Sequence, residues 1–222
     1  MEEQQEFTVK RVKRQTLNRT VYEAIKHSIL KGDIPAGAKL SEVQMGKQLG
    51  VSATPVREAF RMLSMEGLIQ IDPWKGAVVQ GFSKQAALEN CQCREVLELL
   101  ALRLFMEKMT EKELDALRYM IHAARTTTDI SEFVRTSSAI HDVWIKGSGN
   151  SKLQLMIGQL STVTLRERNV SASDNLRRAE IIKEHARLLE ALESRDTARA
   201  EEVLSSHIRK GFEYSLKQTE KE

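Results

Sequence analysis

The sequence predicts a mostly α-helical protein in two parts: an N-terminal winged helix-turn-helix and a C-terminal antiparallel helical bundle. Two observations carry that division. Pro35, Pro55 and Pro73 are the only prolines, and with seven of the eleven glycines they lie at or before Gly81. Only four glycines fall in the remaining 141 residues. Proline and glycine punctuate short elements, so their scarcity permits long helices. Charge divides at the same place. Residues 1–82 hold 12 Lys+Arg and 9 Asp+Glu, whereas residues 83–222 hold 22 of each. Glu2, Glu3 and Glu6 account for three of the acidic groups, so residues 10–82 carry +6 although the whole chain sums to only +3. We divide the chain into a flexible arm (1–13), a small basic domain (14–82) and a larger neutral domain (83–222).

Several classes are excluded at this level. With 41% hydrophobic and 29% charged residues, the chain has the composition of an ordinary globular protein. No apolar run approaches the ~18 residues of a membrane helix. The start, MEEQQEFTVKRVKRQ, lacks the apolar stretch of a secretory signal. Cys91 and Cys93 are the only cysteines, which rules out a disulfide framework or a four-cysteine zinc site and fits a reducing cytoplasm.

In the basic domain, Leu17, Val21, Ala24, Ile25, Ser28 and Ile29 repeat with the period of an amphipathic helix over residues 16–30. Gly32 stops it. After the turn at residues 34–37, Ser41 is placed to cap a short helix over residues 42–49, which ends at Gly50. Thr54 is read as the cap of a third helix, with Pro55 at its first position and its end at Glu66-Gly67. Only about four residues separate the second and third helices, the spacing of a helix-turn-helix. Residues 68–71 and 77–80 read as strands joined by the turn-rich Asp72-Pro73-Trp74-Lys75-Gly76, a wing. Ser52, Thr54 and Arg57 suit a major groove: helix-terminal N–H groups and hydroxyls hold phosphates, and an arginine can bond a guanine edge with two donors. The structural alternatives are capping for Ser52 and Thr54 and a surface ion pair for Arg57. Lys10, Arg11, Lys13 and Arg14 are either a phosphate-tracking arm or a solvated tail.

The second domain reads as six helices. Ser83 caps the first, which runs to about Met109. Thr110-Glu111-Lys112-Glu113 is a capping box for the second. The third starts at Asp129-Ile130-Ser131 and ends near Gly147. The fourth runs from Asn150 or Ser151 to about Arg168, the fifth from about Ser173 to about Ser194, and the sixth from Asp196-Thr197 to about Ser215. Short joints and no convincing strand make an antiparallel bundle. His141, His185 and His207 fall on the third, fifth and sixth helices. Each is either a surface or hydrogen-bonded core residue, or one of three imidazoles converging on a divalent metal. Arg94 precedes Glu98 by one helical turn, which suits a helix ion pair.

The first domain resembles the winged helix of GntR-family transcription regulators. The resemblance rests on Ile34-Pro35-Ala36-Gly37-Ala38-Lys39-Leu40-Ser41-Glu42, on Leu49-Gly50-Val51-Ser52-Ala53-Thr54-Pro55-Val56-Arg57-Glu58-Ala59-Phe60, and on Leu63 and Glu66-Gly67-Leu68. It implies that Ser52, Thr54, Pro55 and Arg57 approach DNA from the third helix and Lys75-Gly76 from the wing. Ala53 stands where the family often has arginine, which implies a missing contact and a different operator preference. Residues from about 88 to 212 resemble the FCD ligand-binding domain of the FadR subfamily, through Arg94-Glu95-Val96-Leu97-Glu98, Ile140-His141 with Gly149-Asn150, Glu184-His185 with Leu188-Leu189-Glu190-Ala191-Leu192, and Asp196 through Ala200 to His207-Ile208. This implies a metal site at His141, His185 and His207, taking zinc, nickel or manganese, and an Arg94 that faces the pocket and pairs with an effector carboxylate. The family's fourth ligand, an aspartate four residues before the first histidine, is Ser137 in this chain, which weakens the site. Asp142 points about 100° away from His141 on a helix and is a poor substitute.

Together these features predict a homodimeric, cytoplasmic transcription regulator, a repressor, that binds an inverted-repeat double-stranded operator and responds to a small carboxylate. A metal-free regulator that binds an acyl or other small ligand is the alternative. A three-histidine metalloenzyme is the rival from another class. Against it, the sequence has no HExxH, no Ser/His/Asp arrangement and no Gly-rich nucleotide loop.

Overall fold

A computed structural model of the chain describes residues 17–72, 76–81 and 83–219. The basic residues at 10–14 and the wing's Lys75 lie outside them. The chain separates into two compact units, Met1–Gly81 and Phe82–Glu222.

The first unit holds α1 (Leu17–Lys31), β1 (Lys39–Leu40), α2 (Glu42–Leu49), α3 (Ala53–Met65), β2 (Ile69–Asp72) and β3 (Gly76–Val79). Its core forms because α3 places Val56, Ala59, Phe60 and Leu63 on one stripe, at i, i+3, i+4 and i+7. That stripe meets Val21 and Ile25 of α1 and Ile69 and Val79 of the sheet. The sheet order is β1-β3-β2, antiparallel throughout, with Ile69 opposite Val79 and Leu40 opposite Ala77. β1 was not expected from the sequence. Two residues are too few to show a period, and only pairing with β3 defines them.

The second unit holds α4 (Lys84–Met106), α5 (Glu111–Thr126), α6 (Ile130–Gly147), α7 (Ser151–Ala172), α8 (Asn175–Glu193) and α9 (Thr197–Thr219). α4 packs against α6, α7 and α9, and α5 against α6 and α8. Leu102, Phe105, Leu117, Ile140, Trp144, Leu204 and Ile208 build its main core. The expected starts hold. Ser83 accepts from Ala86 N, Asp129 from Glu132 N and Asn150 from Leu153 N, and Thr110 with Glu113 forms a capping box. The ends differ by up to one turn: α4 stops at Met106, α7 continues to Ala172 and α9 to Thr219. Periodicity marks a helix's face more sharply than its last turn, which tertiary packing decides.

Candidate functional site

The helix-turn-helix is set by two glycines. Gly50 follows α2 in the left-handed region, at φ +68, where its N–H returns to α2 carbonyls. A Cβ on Gly46 would stand 2.8 Å from the Val51 carbonyl oxygen, so only glycine lets the turn fold back this closely. Contrary to the sequence reading, Ser52 and not Thr54 is the N-cap of α3, and Pro55 is the third helical residue. The first-turn N–H groups have no intrahelical acceptor, so proline is tolerated there as well as at the first position. The Ser52 hydroxyl makes no capping bond and is exposed. Thr54 and Arg57 are exposed beside it. Pro55 is buried, which turns it into the domain and away from solvent. Arg57 bonds Glu42 of α2 through Nε at 2.9 Å and Nη2 at 2.7 Å. Gly76 opens β3 at φ +82, and a Cβ there would lie 3.5 Å from Leu40 O.

In the bundle, His141 on α6, His185 on α8 and His207 on α9 bring one ring nitrogen each within 4.8 Å of one another. The His141 and His207 Nε2 atoms are 3.2 Å apart. Two of the rings are held from behind by a carboxylate. His141 Nδ1 lies 2.6 Å from Glu98 Oε2, and His207 Nδ1 lies 2.7 Å from Glu184 Oε2. Those carboxylates are kept ionised by arginines: Arg94 Nε donates to Glu98 Oε1 at 2.6 Å, and Arg177 bonds both oxygens of Glu184. Trp144 Nε1 donates to Glu98 as well.

The protonation states follow. Burial would raise the Glu184 carboxyl, but the hydrogen bonds from His207 and Arg177 hold it down to about 2. Burial would likewise raise Glu98, yet His141 and Arg94 keep it well below the usual carboxylate range. Burial pushes His141 down to about 3 and also lowers His185 and His207. An ionised carboxylate accepts only, so the Nδ1 atoms of His141 and His207 carry the proton and their Nε2 lone pairs face each other. Two lone pairs at 3.2 Å repel, and at neutral pH no proton is available to bridge them. His185 Nε2 is buried without a hydrogen-bond partner. Three neutral nitrogen donors, two backed by carboxylates and one orphaned, fit a divalent transition-metal ion.

Ser137 is buried one turn before His141 and adds no charge. Asp142 is half-buried and bonds Lys146 at 2.8 Å, outside the cluster. Arg94 is buried in the bundle, but its fork is committed to Glu98 and, at 3.6 Å, to Glu167. Arg94 thus makes the ion pair expected from its spacing, and it also lines the cavity bounded by His141, Ile157 and Arg168. Sequence reasoning missed Glu184, which it quoted only beside His185 in the run that resembles the FCD domain. Its signal was Arg177, two helical turns earlier on the same helix. Glu98 was seen only as a partner of Arg94.

Residues 17–79 match the family of bacterial regulatory proteins, gntR family, and residues 89–210 match the FCD domain. This chain belongs to the GntR family and carries an FCD domain. Among its relatives are the HTH-type transcriptional regulator YdhC of Bacillus subtilis, 25% identical over 197 residues (87% of this chain, 88% of that one), and the HTH-type transcriptional repressor RspR of Escherichia coli, also 25% identical over 197 residues (87% and 86%). A probable D-xylose utilization operon transcriptional repressor of Paenarthrobacter nicotinovorans is 28% identical over 204 residues, covering 90% and 89% of the two chains. The solved structure of E. coli McbR/YncC shares the fold, with a TM-score of 0.76 at 24% identity over 93% of this chain and 100% of that one. This GntR-family member is therefore a transcriptional regulator with a DNA-binding winged helix, and its relatives are named as regulators, not enzymes. Among the described residues no helix is long and apolar enough to cross a membrane.

Proposed function

We propose that this regulator is a homodimeric repressor that reads an inverted repeat, and that a small carboxylate bound in its bundle, beside a divalent ion, sets operator affinity. Two relatives bear the name of repressors, which supports that sign. Ser52, Thr54 and Arg57 are the exposed groups at the start of α3 and would meet DNA, with Gly76 at the wing. His141, His185 and His207 would hold zinc, nickel or manganese. The bound ion supplies positive charge and open positions for an anionic ligand. The carrying observation is the convergence of three neutral imidazoles, two of them backed by carboxylates, inside a helical bundle.

What the chain's own groups do is specific. Glu98 and Glu184 fix the tautomer and aim of two rings. Arg94 and Arg177 keep those carboxylates ionised. Ser137 leaves one coordination position to water or effector. Effector binding then biases two populations that differ in operator affinity. The test is elemental analysis of untagged protein after zinc, nickel or manganese supplementation. About one ion per chain is expected, falling to background in His185→Ala. Less than about 0.2 ion per chain overturns the metal reading and leaves the metal-free regulator.

A further inference from the structure

We infer that Glu42 is a specificity-determining residue: on the operator it keeps hold of one edge of the Arg57 guanidinium and aims the other edge at a guanine. This rests on the reading of Arg57 as a DNA contact, and it gives a role to that residue's partner.

Glu42 opens α2 and Arg57 lies one turn into α3, so their pair spans the helix-turn-helix. Both helices are fixed at this point. Ser41 caps α2 through Gln44 N, and Val51 N donates to Gly46 O at 2.9 Å across the turn. A carboxylate suits the first turn of α2, because N–H groups at a helix start favour negative charge. The contact with Arg57 is side-on. Arg57 Nε donates to Glu42 Oε2 at 2.9 Å, and Nη2 donates to the same oxygen at 2.7 Å. A guanidinium carries five N–H donors in one plane. Its outer edge, made by Nη1 and the second Nη2 hydrogen, meets no partner among the described residues. Arg61, one turn further on, is held the other way: Glu58 sits on its Nη1 at 2.7 Å and occupies the outer edge.

Two parallel N–H groups match the two acceptors of guanine, O6 and N7. Adenine offers one acceptor beside a donor, and thymine one acceptor beside a methyl group, so a fixed fork rejects both. An arginine without a partner is less selective, because it can swing to a phosphate. Glu42 opposes that in two ways. It holds a long side chain in one arrangement before DNA arrives, so less freedom is lost on binding guanine. It also cancels the charge that phosphates attract. The exposed pair is weak enough for a phosphate to break, but a guanine on the outer edge need not break it.

The test is fluorescence anisotropy of the full-length protein on the operator recovered by genomic-fragment selection and on random-sequence DNA. Operator copies carry 7-deazaguanine at each guanine in turn, which removes N7 and keeps the base pair. In wild type at least one replacement is expected to lose about tenfold in affinity, and Arg57→Ala should erase that loss. In Glu42→Gln the loss should shrink to about threefold or less, while affinity for random DNA rises by about threefold or more. The slope of log affinity against log salt should steepen by about 0.9, the value of one unmasked charge. Glu42→Ala should behave alike, and circular dichroism checks that both variants fold. A guanine loss that depends on Arg57 but stays near tenfold in both Glu42 variants overturns the proposal and leaves Arg57 in the interface. Tighter operator binding by Glu42→Gln with the guanine loss intact also overturns it, and makes Glu42 only a rival for the arginine. No guanine loss traceable to Arg57 overturns the interface reading together with the proposal.

Discussion

Arg57, proposed to meet DNA, is held by Glu42 in its absence. In the free protein its guanidinium closes on Glu42, an exposed pair of the kind worth little in water. A guanine edge or a phosphate can therefore displace Glu42 at small cost. Arg57→Ala should abolish specific operator binding, measured by fluorescence anisotropy, while circular dichroism shows an intact bundle. Operator affinity within about twofold of wild type would remove Arg57 from the interface. A second residue-scale expectation concerns Glu98. Glu98→Gln keeps the shape but removes the charge behind His141, and should weaken metal affinity by about ten- to a hundredfold. Unchanged affinity would reduce Glu98 to a packing residue. The three histidines were legible in the sequence because their residue type is rare and chemically marked. The groups that aim them were not, since Glu98, Glu184, Arg94 and Arg177 look like any helix-surface charges until α4, α6, α8 and α9 bring them inside.

At the scale of elements, helix starts were legible and helix ends less so. Caps such as Ser41, Ser83, Asp129 and the Thr110–Glu113 box act within one turn, and the sequence displays the whole motif. The cap of α3 was misplaced by two residues, because Ser52 and Thr54 both qualify by type and a proline in either first-turn position is tolerated. β1 was invisible for the opposite reason, being defined by a partner more than thirty residues away. The turn of the helix-turn-helix makes its own prediction. Gly50→Ala places a Cβ in the left-handed region and should cost about 1–2 kcal/mol. Gly46→Ala drives a Cβ into the Val51 carbonyl and should cost more. Urea unfolding followed by circular dichroism reports both. A Gly46→Ala midpoint equal to wild type would mean that the turn relaxes freely.

Across the whole molecule, charge and composition announced two unlike parts before any element was assigned, and the structure separates at Gly81. The bundle's buried ionisable groups give it an acid-sensitive stability. The imidazoles of His141, His185 and His207 are held neutral when folded, His141 down to about 3, so unfolding takes up protons once pH falls below about 6.5. The Glu184 carboxyl, at about 2 against an ordinary 4.5, adds stability above pH 4.5 that is lost as pH falls toward 2. Glu167 runs the other way: burial raises its carboxyl, so it stabilises below pH 4.5 and gives that up as pH rises. From pH 7 to about pH 4.5 the three histidines act against Glu167, so the urea midpoint should decline as pH falls, and Glu184 and Glu98 add to the loss below pH 4.5. A flat profile would mean that these histidines are not buried in the neutral form.

The proposed regulation requires the histidine centre of the bundle to influence what the winged helix does on DNA. Genomic-fragment selection with the purified protein supplies the operator, expected to be an inverted repeat. The deciding measurement is the dissociation constant on that operator, with saturating zinc and after chelation, for wild type and His185→Ala. A zinc-dependent change of about fivefold or more, the lower range of allosteric coupling, is expected in wild type and none in the variant. Equal affinity with and without metal in the wild-type protein, or no inverted repeat recovered at all, would contradict it.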